Sequence, residues 1–96
     1  MYRIIDKRGT GKTSRLLLLA KENDGIVVCL APDRLIRQAN KYGITGLTFI
    51  SYSEFIHRTK DTGGKPVFID DLECLMNYIV KINFSSELAG YTISED

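Results

Sequence analysis

One histidine and two cysteines are all the imidazole and thiol groups that this 96-residue chain offers as nucleophiles or metal ligands. His57 stands in FIHRT with no serine or cysteine partner pattern, so it is expected on a helix surface rather than in a catalytic pair. Cys29 and Cys74 occur singly, inside the apolar runs IVVCLA and DLECLM, and no metal-binding spacing links them. They read as buried thiols of a reducing compartment. No apolar run approaches the roughly 20 residues that a bilayer span requires; the longest lie near GIVVCLA. Arg3 and Asp6 charge the first residues where a signal peptide would need an apolar core. The expected location is therefore cytoplasmic and soluble. A net charge of +1 gives no overall basic footprint for nucleic acid, and Tyr2, Tyr42, Tyr52, Tyr78 and Tyr91 lack the spacing of a single-strand reader. Repeats, linkers and low-complexity stretches are absent as well.

What is present suits one small domain over residues 1–96. Hydrophobic residues make up 44% and charged residues 26%, which argues against disorder. A chain of this size hides roughly 60–65% of the surface its unfolded form exposes, so its core must be compact. The charges are unevenly spread. Residues 1–21 carry six Lys/Arg against one acid, and residues 61–96 carry two Lys against seven acids. Two solvated faces would explain this; so would a positive end that meets phosphates and a negative end that meets metal or a neighbouring subunit.

The pattern alternates between strand and helix. YRII (2–5) reads as a strand, and a helix follows from about Lys12 to Glu22. Leu16 to Leu19 are too continuous for a one-faced helix, so that helix is covered on most sides or shows leucines to a partner. NDG (23–25) is a turn, and IVVCL (26–30) is β-branched and uninterrupted, as a central parallel strand requires. Pro32 opens a helix with Leu35, Ile36 and Ala39 that ends near Tyr42-Gly43. LTFI (47–50) is a third strand. Ser51 and Glu54 form a capping box for a helix through Phe55, Ile56 and Arg58. After the flexible KDTGGK (60–65), VFI (67–69) is a fourth strand, with a helix from Leu72 to about Ile82 and a last short strand, YTIS (91–94). Strands alternating with helices imply an α/β fold: a parallel sheet of about five strands flanked by helices on both faces.

Two stretches carry chemistry. The first is DKRGTGKTS (6–14), whose centre completes the second half of the pattern G-x-x-x-x-G-K-[ST]. Gly9 and Gly11 let backbone N–H groups turn inward around an anion. Thr10, Gly11, Lys12, Thr13 and Ser14 complete the candidate phosphate-binding set, with Lys12 supplying charge to the β- and γ-phosphates and Thr13 a hydroxyl to Mg²⁺. The helix behind them adds its positive end. Asp6 stands where the pattern has its first glycine; aspartate tolerates unusual dihedrals, but its carboxylate lies close to an anion site and is able to pair with Lys7, Arg8 or Lys12. The second stretch is KPVFIDDLECLM (65–76), an apolar strand ending in two acids. Asp70 there suits a metal held through water, and Asp71 a carboxylate that orients an attacking water, although aspartate at such a junction also commonly caps the next helix.

Together GTGKT and VFIDDLECL resemble the Walker A and Walker B motifs of the P-loop NTPase superfamily, on the strand-inserted branch that includes helicases and AAA+ proteins. The double aspartate looks like that of replication-initiator and helicase-loader ATPases, and LTFISYSEFIHRT is similar to the strand and helix that precede this motif in loaders and superfamily 1 helicases. The layout also resembles small ATPase-like proteins common in bacteriophage genomes. The likeness spans most of the chain, but only the two motifs are specific. It implies a minimal P-loop fold that uses ATP and Mg²⁺, with Lys12 and Asp71 as catalytic residues, Gly9 to Ser14 around the phosphates, and Thr13 and Asp70 at the metal. It also implies that YTIS is the strand inserted between the two motif strands, presenting Thr92 or Ser94 as a polar sensor.

No lid, second lobe or arginine finger follows the acids, so the resemblance implies nucleotide binding with weak or partner-dependent hydrolysis. Arg34, Arg37 and Arg58 read as solvated helix charges, with a finger role across a subunit interface as the alternative. A different class stays open: an inactive P-loop scaffold that binds or inhibits a host or replication protein. Nucleic-acid remodelling would need a partner lobe. A glycosidase does not fit, because adjacent residues at a strand end cannot hold two carboxyls apart across a sugar ring. A nucleotide kinase lacks its acceptor pocket.

Overall fold

The computed structural model describes residues 1–5 and 11–94. The elements run α1 (Lys12–Glu22), β1 (Ile26–Cys29), α2 (Pro32–Lys41), β2 (Thr48–Ser51), α3 (Tyr52–Ile56), β3 (Val67–Ile69) and α4 (Leu72–Phe84). The three strands form one parallel sheet in the order β2-β1-β3, flanked by four helices.

β1 owes its central place to its composition. All four of its residues are buried, and each pairs with β2 on one side: Ile26 with Thr48 through to Cys29 with Ser51. On the other side Ile26, Val27 and Val28 pair with Val67, Phe68 and Ile69. A run of β-branched residues with no polar alternation fits only a strand covered on both faces. Side chains alternate across the sheet. Val27 and Cys29 therefore join Leu17 and Ala20 of α1, Leu35 and Ala39 of α2, Ile44 and Phe68 in one core. Ile26 and Val28 join Ile50, Tyr52 and Leu75 in the other, under α3 and α4.

The connections follow local chemistry. Asn23 ends α1 by donating its side-chain amide to the Leu19 carbonyl, and Gly25 returns its N–H to the Ala20 carbonyl. A Cβ at Gly25 would lie 2.5 Å from the Phe68 ring and 2.9 Å from the Pro66 carbonyl, so no side chain fits where this turn crosses β3. Pro32 opens α2, where its missing N–H is harmless. The capping box at α3 is complete: the Ser51 hydroxyl accepts from the Glu54 N–H, and Glu54 accepts from the Ser51 N–H, both at 3.1 Å. Ser51→Ala is expected to lower stability by about 1 kcal/mol, read from the urea midpoint at unchanged slope; a loss below experimental error would show that the box contributes nothing.

Three expectations need correction. Residues 2–5 are not a strand, and neither are residues 91–94, so the described residues form three strands rather than about five. Strand preference reflects burial against neighbours, and these segments lack it. Tyr2 instead stacks its ring on Phe68 at 6.2 Å while Ile5 stays 74% exposed. The C-terminal stretch runs back beside α4, with the Leu88 N–H donating to Asn77 and the Tyr91 hydroxyl donating to Glu73. Thr92 and Ser94 thus lie on an exposed stretch, not on an inserted strand. Finally, α3 stops at Ile56 and not at Arg58, whose φ of 55° is left-handed, and α4 continues to Phe84.

Candidate functional site

α1 runs back along the sheet before the turn into β1, which brings its N-terminus to the edge where the strands end. In open α/β sheets ligands bind at that edge. Gly11 is the N-cap of α1, with φ 78° and ψ 24°, a left-handed conformation that favours glycine. Lys12, Thr13 and Ser14 then form the first turn, and Ser14 donates its hydroxyl to the Gly11 carbonyl at 2.9 Å. Asp6, Gly9 and Thr10 lie outside the described residues.

Opposite this helix start stands the end of β3. Thr13 Oγ1 donates to Asp70 Oδ1 at 3.1 Å, across 57 positions of sequence. Asp70 is half-buried, and its pKa is pushed above the usual carboxylate range, chiefly by burial. The Thr13 hydrogen bond opposes that rise, the Asp71 charge adds to it, and the Lys12 ammonium opposes it. Lys12, Thr13, Asp70 and Asp71 therefore share one electrostatic neighbourhood.

Asp71 does structural work. It adopts φ 60° and caps α4, its carboxylate accepting from the Cys74 N–H at 3.1 Å. The main chain around the pair is pinned on both sides. The Asp70 N–H donates to the Val28 carbonyl at 2.9 Å, and the hydroxyl of Tyr52 donates to the Asp70 carbonyl at 2.6 Å. The same hydroxyl lies 3.1 Å from the Asp71 carbonyl. Tyr52 is 1% exposed and meets Tyr78 of α4 edge to face, with ring centroids 5.7 Å apart. Sequence reasoning missed it among the scattered tyrosines. The signal was its place directly after the capping serine, at the end of a strand bound for the central sheet.

The remaining candidates sit on the surface or in the core. His57 is exposed and donates Nδ1–H to its own helix at the Ser53 carbonyl, 2.9 Å away. Arg34 and Arg37 are exposed on α2, and Arg58 is exposed beyond α3. Cys29 is fully buried, and burial with the nearby Asp70 charge pushes its thiol up to about 12, which leaves it an inert core residue. Cys74 is also a free thiol.

Among the described residues no group of three or more His, Cys, Asp or Glu side chains is gathered to hold a metal. The contact between a hydroxyl and a carboxylate does suit Mg²⁺. That ion takes oxygen ligands and keeps several waters, commonly using one or two protein groups beside a substrate's phosphates. Among the described residues no helix is long and apolar enough to cross a membrane. No family model matches the chain, and neither the curated proteins nor the solved structures include a match.

Proposed function

We propose that this chain binds ATP as its Mg²⁺ complex and acts as an ATPase-like protein of P-loop type, with weak or partner-dependent hydrolysis. The observation that carries this reading is the Thr13–Asp70 hydrogen bond. Two residues that only the motif pairing would associate meet at the carboxyl edge of the sheet, beside Lys12. Gly11, Lys12, Thr13 and Ser14, continuing from Gly9 and Thr10, would surround the phosphates. Thr13 and Asp70 would hold the metal, whose chemistry is to neutralise charge developing on the transferred phosphoryl group. Asp71 would orient water through the carboxylate oxygen that does not cap α4. Stabilisers supplied in trans typically raise the rate of such sites by ~10³–10⁵, so slow turnover by the protein alone is expected.

A titration with a fluorescent ATP analogue, with and without Mg²⁺, tests the proposal. Wild type should bind, Mg²⁺ should tighten binding, and Lys12→Ala should weaken it by about tenfold, as loss of a charge-assisted hydrogen bond does. Absence of binding at millimolar nucleotide, with Lys12→Ala indistinguishable from wild type, would favour the inactive scaffold that binds a protein. One feature supports that second reading. α4 buries only Leu75 fully, while Leu72, Met76, Ile82 and Phe84 remain 42–73% exposed along the helix. Exposed apolar surface of this kind is characteristic of protein contacts.

A further inference from the structure

We infer that Tyr52 is a positioning residue for the acid pair, holding the Asp70–Asp71 turn so that the Asp70 carboxylate faces Thr13. This rests on the nucleotide-site reading above and adds to it a residue that belongs to neither motif. The geometry is specific. Asp70 leaves β3 with its N–H on the central strand at Val28, and the residue after it takes a left-handed φ where α4 begins. Between these two constraints the peptide carbonyls of Asp70 and Asp71 both turn toward one point, and the Tyr52 hydroxyl occupies that point. A phenol O–H carries one proton, so the 2.6 Å bond to Asp70 is the principal one and Asp71 shares the donor. The Asp71 carbonyl keeps a second partner in the Leu75 N–H.

The hydroxyl is itself well anchored. Tyr52 is the first residue of α3, directly after the Ser51 cap, and Ser51 pairs in register with Cys29 of β1. Its ring is buried against Tyr78. The donor is therefore fixed by the sheet and by the capping box, neither of which depends on the acid pair, and further by the aromatic contact with α4. Without the donor the Asp70 carbonyl loses its tether, the turn between the two acids loosens, and the Asp70 carboxylate is held less firmly opposite Thr13.

Tyr52→Phe keeps the ring and removes only the donor. In the fluorescent ATP titration the Mg²⁺-dependent gain in affinity should fall by about tenfold, the upper end for a lost hydrogen bond, while metal-free binding stays at the wild-type value. Placing p-aminophenylalanine at position 52 restores a donor and should recover the gain; it also serves if Tyr52→Phe fails to fold. An unchanged Mg²⁺ gain overturns the inference, and so does an equal loss with and without metal, which would mark Tyr52 as merely structural. If wild type binds no nucleotide, the nucleotide reading fails by itself. A crystal structure of Tyr52→Phe then decides the positioning role: a Thr13–Asp70 bond still near 3.1 Å rejects it, and a broken one supports it.

Discussion

Asp70→Asn is expected to raise the melting temperature of the nucleotide-free protein at neutral pH and to abolish the tightening of ATP binding by Mg²⁺. The two effects have one source. Burial raises the Asp70 pKa in the folded protein above its unfolded value, so the folded state prefers the protonated carboxyl. Stability from such a group is fully present below the unfolded pKa and is lost as pH rises through the folded one. At neutral pH the carboxylate is held half-buried at a cost, and asparagine removes the charge while its carbonyl still accepts from Thr13. On the proposed nucleotide reading, the same substitution deletes the anionic ligand. Interactions with a charged group are worth about 1.5–3 kcal/mol, so Mg²⁺-dependent affinity should drop by roughly 10- to 100-fold. Thermal melts across pH 4 to 8 provide the check. The wild-type and Asp70→Asn curves should converge toward acid, and parallel curves would mean that Asp70 is not strained. Residues kept for function often cost stability in this way.

Leu17→Ala should be the most damaging of the leucine truncations in α1. Leu17 is fully buried in the core shared by α1 and α2, while Leu18 next to it is 50% exposed. Emptying a fully enclosed leucine site costs ~2–5 kcal/mol. Against a total stability of roughly 5–15 kcal/mol, that removes a large fraction of the margin by which a small protein stays folded. Leu16 and Leu19 pack only partly against the same core and should lose less. Leu18→Ala should stay within ~0.5 kcal/mol, as surface changes usually do. Urea midpoints give the ranking, and a Leu18→Ala loss equal to that of Leu17→Ala would show that the helix faces the wrong way.

Those four leucines mark a boundary of what is legible in the sequence. A continuous LLLL indicates a covered helix but does not say which side is covered. That depends on the sheet beneath. Where local chemistry was sufficient, the reading came close: the strand at 26–30 closes at Cys29, the one at 47–50 shifts to 48–51, and the Ser51–Glu54 box sits where expected. YRII and YTIS looked no less strand-like than VFI. The difference is that VFI pairs with β1, and among the described residues the other two join no sheet. At the site, the meeting of Thr13 and Asp70 was legible because GTGKT and VFIDD are read as a pair that a parallel sheet brings to one edge. Asp71 was ambiguous from the start, since one aspartate serves both helix capping and water binding, and the capping bond is present. Tyr52 was missed because its partners are main-chain carbonyls, and only its place after the capping serine marked it.

β1 pairs with both other strands and packs against α1, α2 and α3. Its alternate side chains supply both cores, and its backbone supplies both neighbouring strands. A ribbon shared in this way leaves no half of the molecule able to come undone alone. Amide protons of Val27 and Val28 should therefore exchange with deuterium only when the whole chain opens, at one common rate, and a melt followed by any probe should trace a single transition.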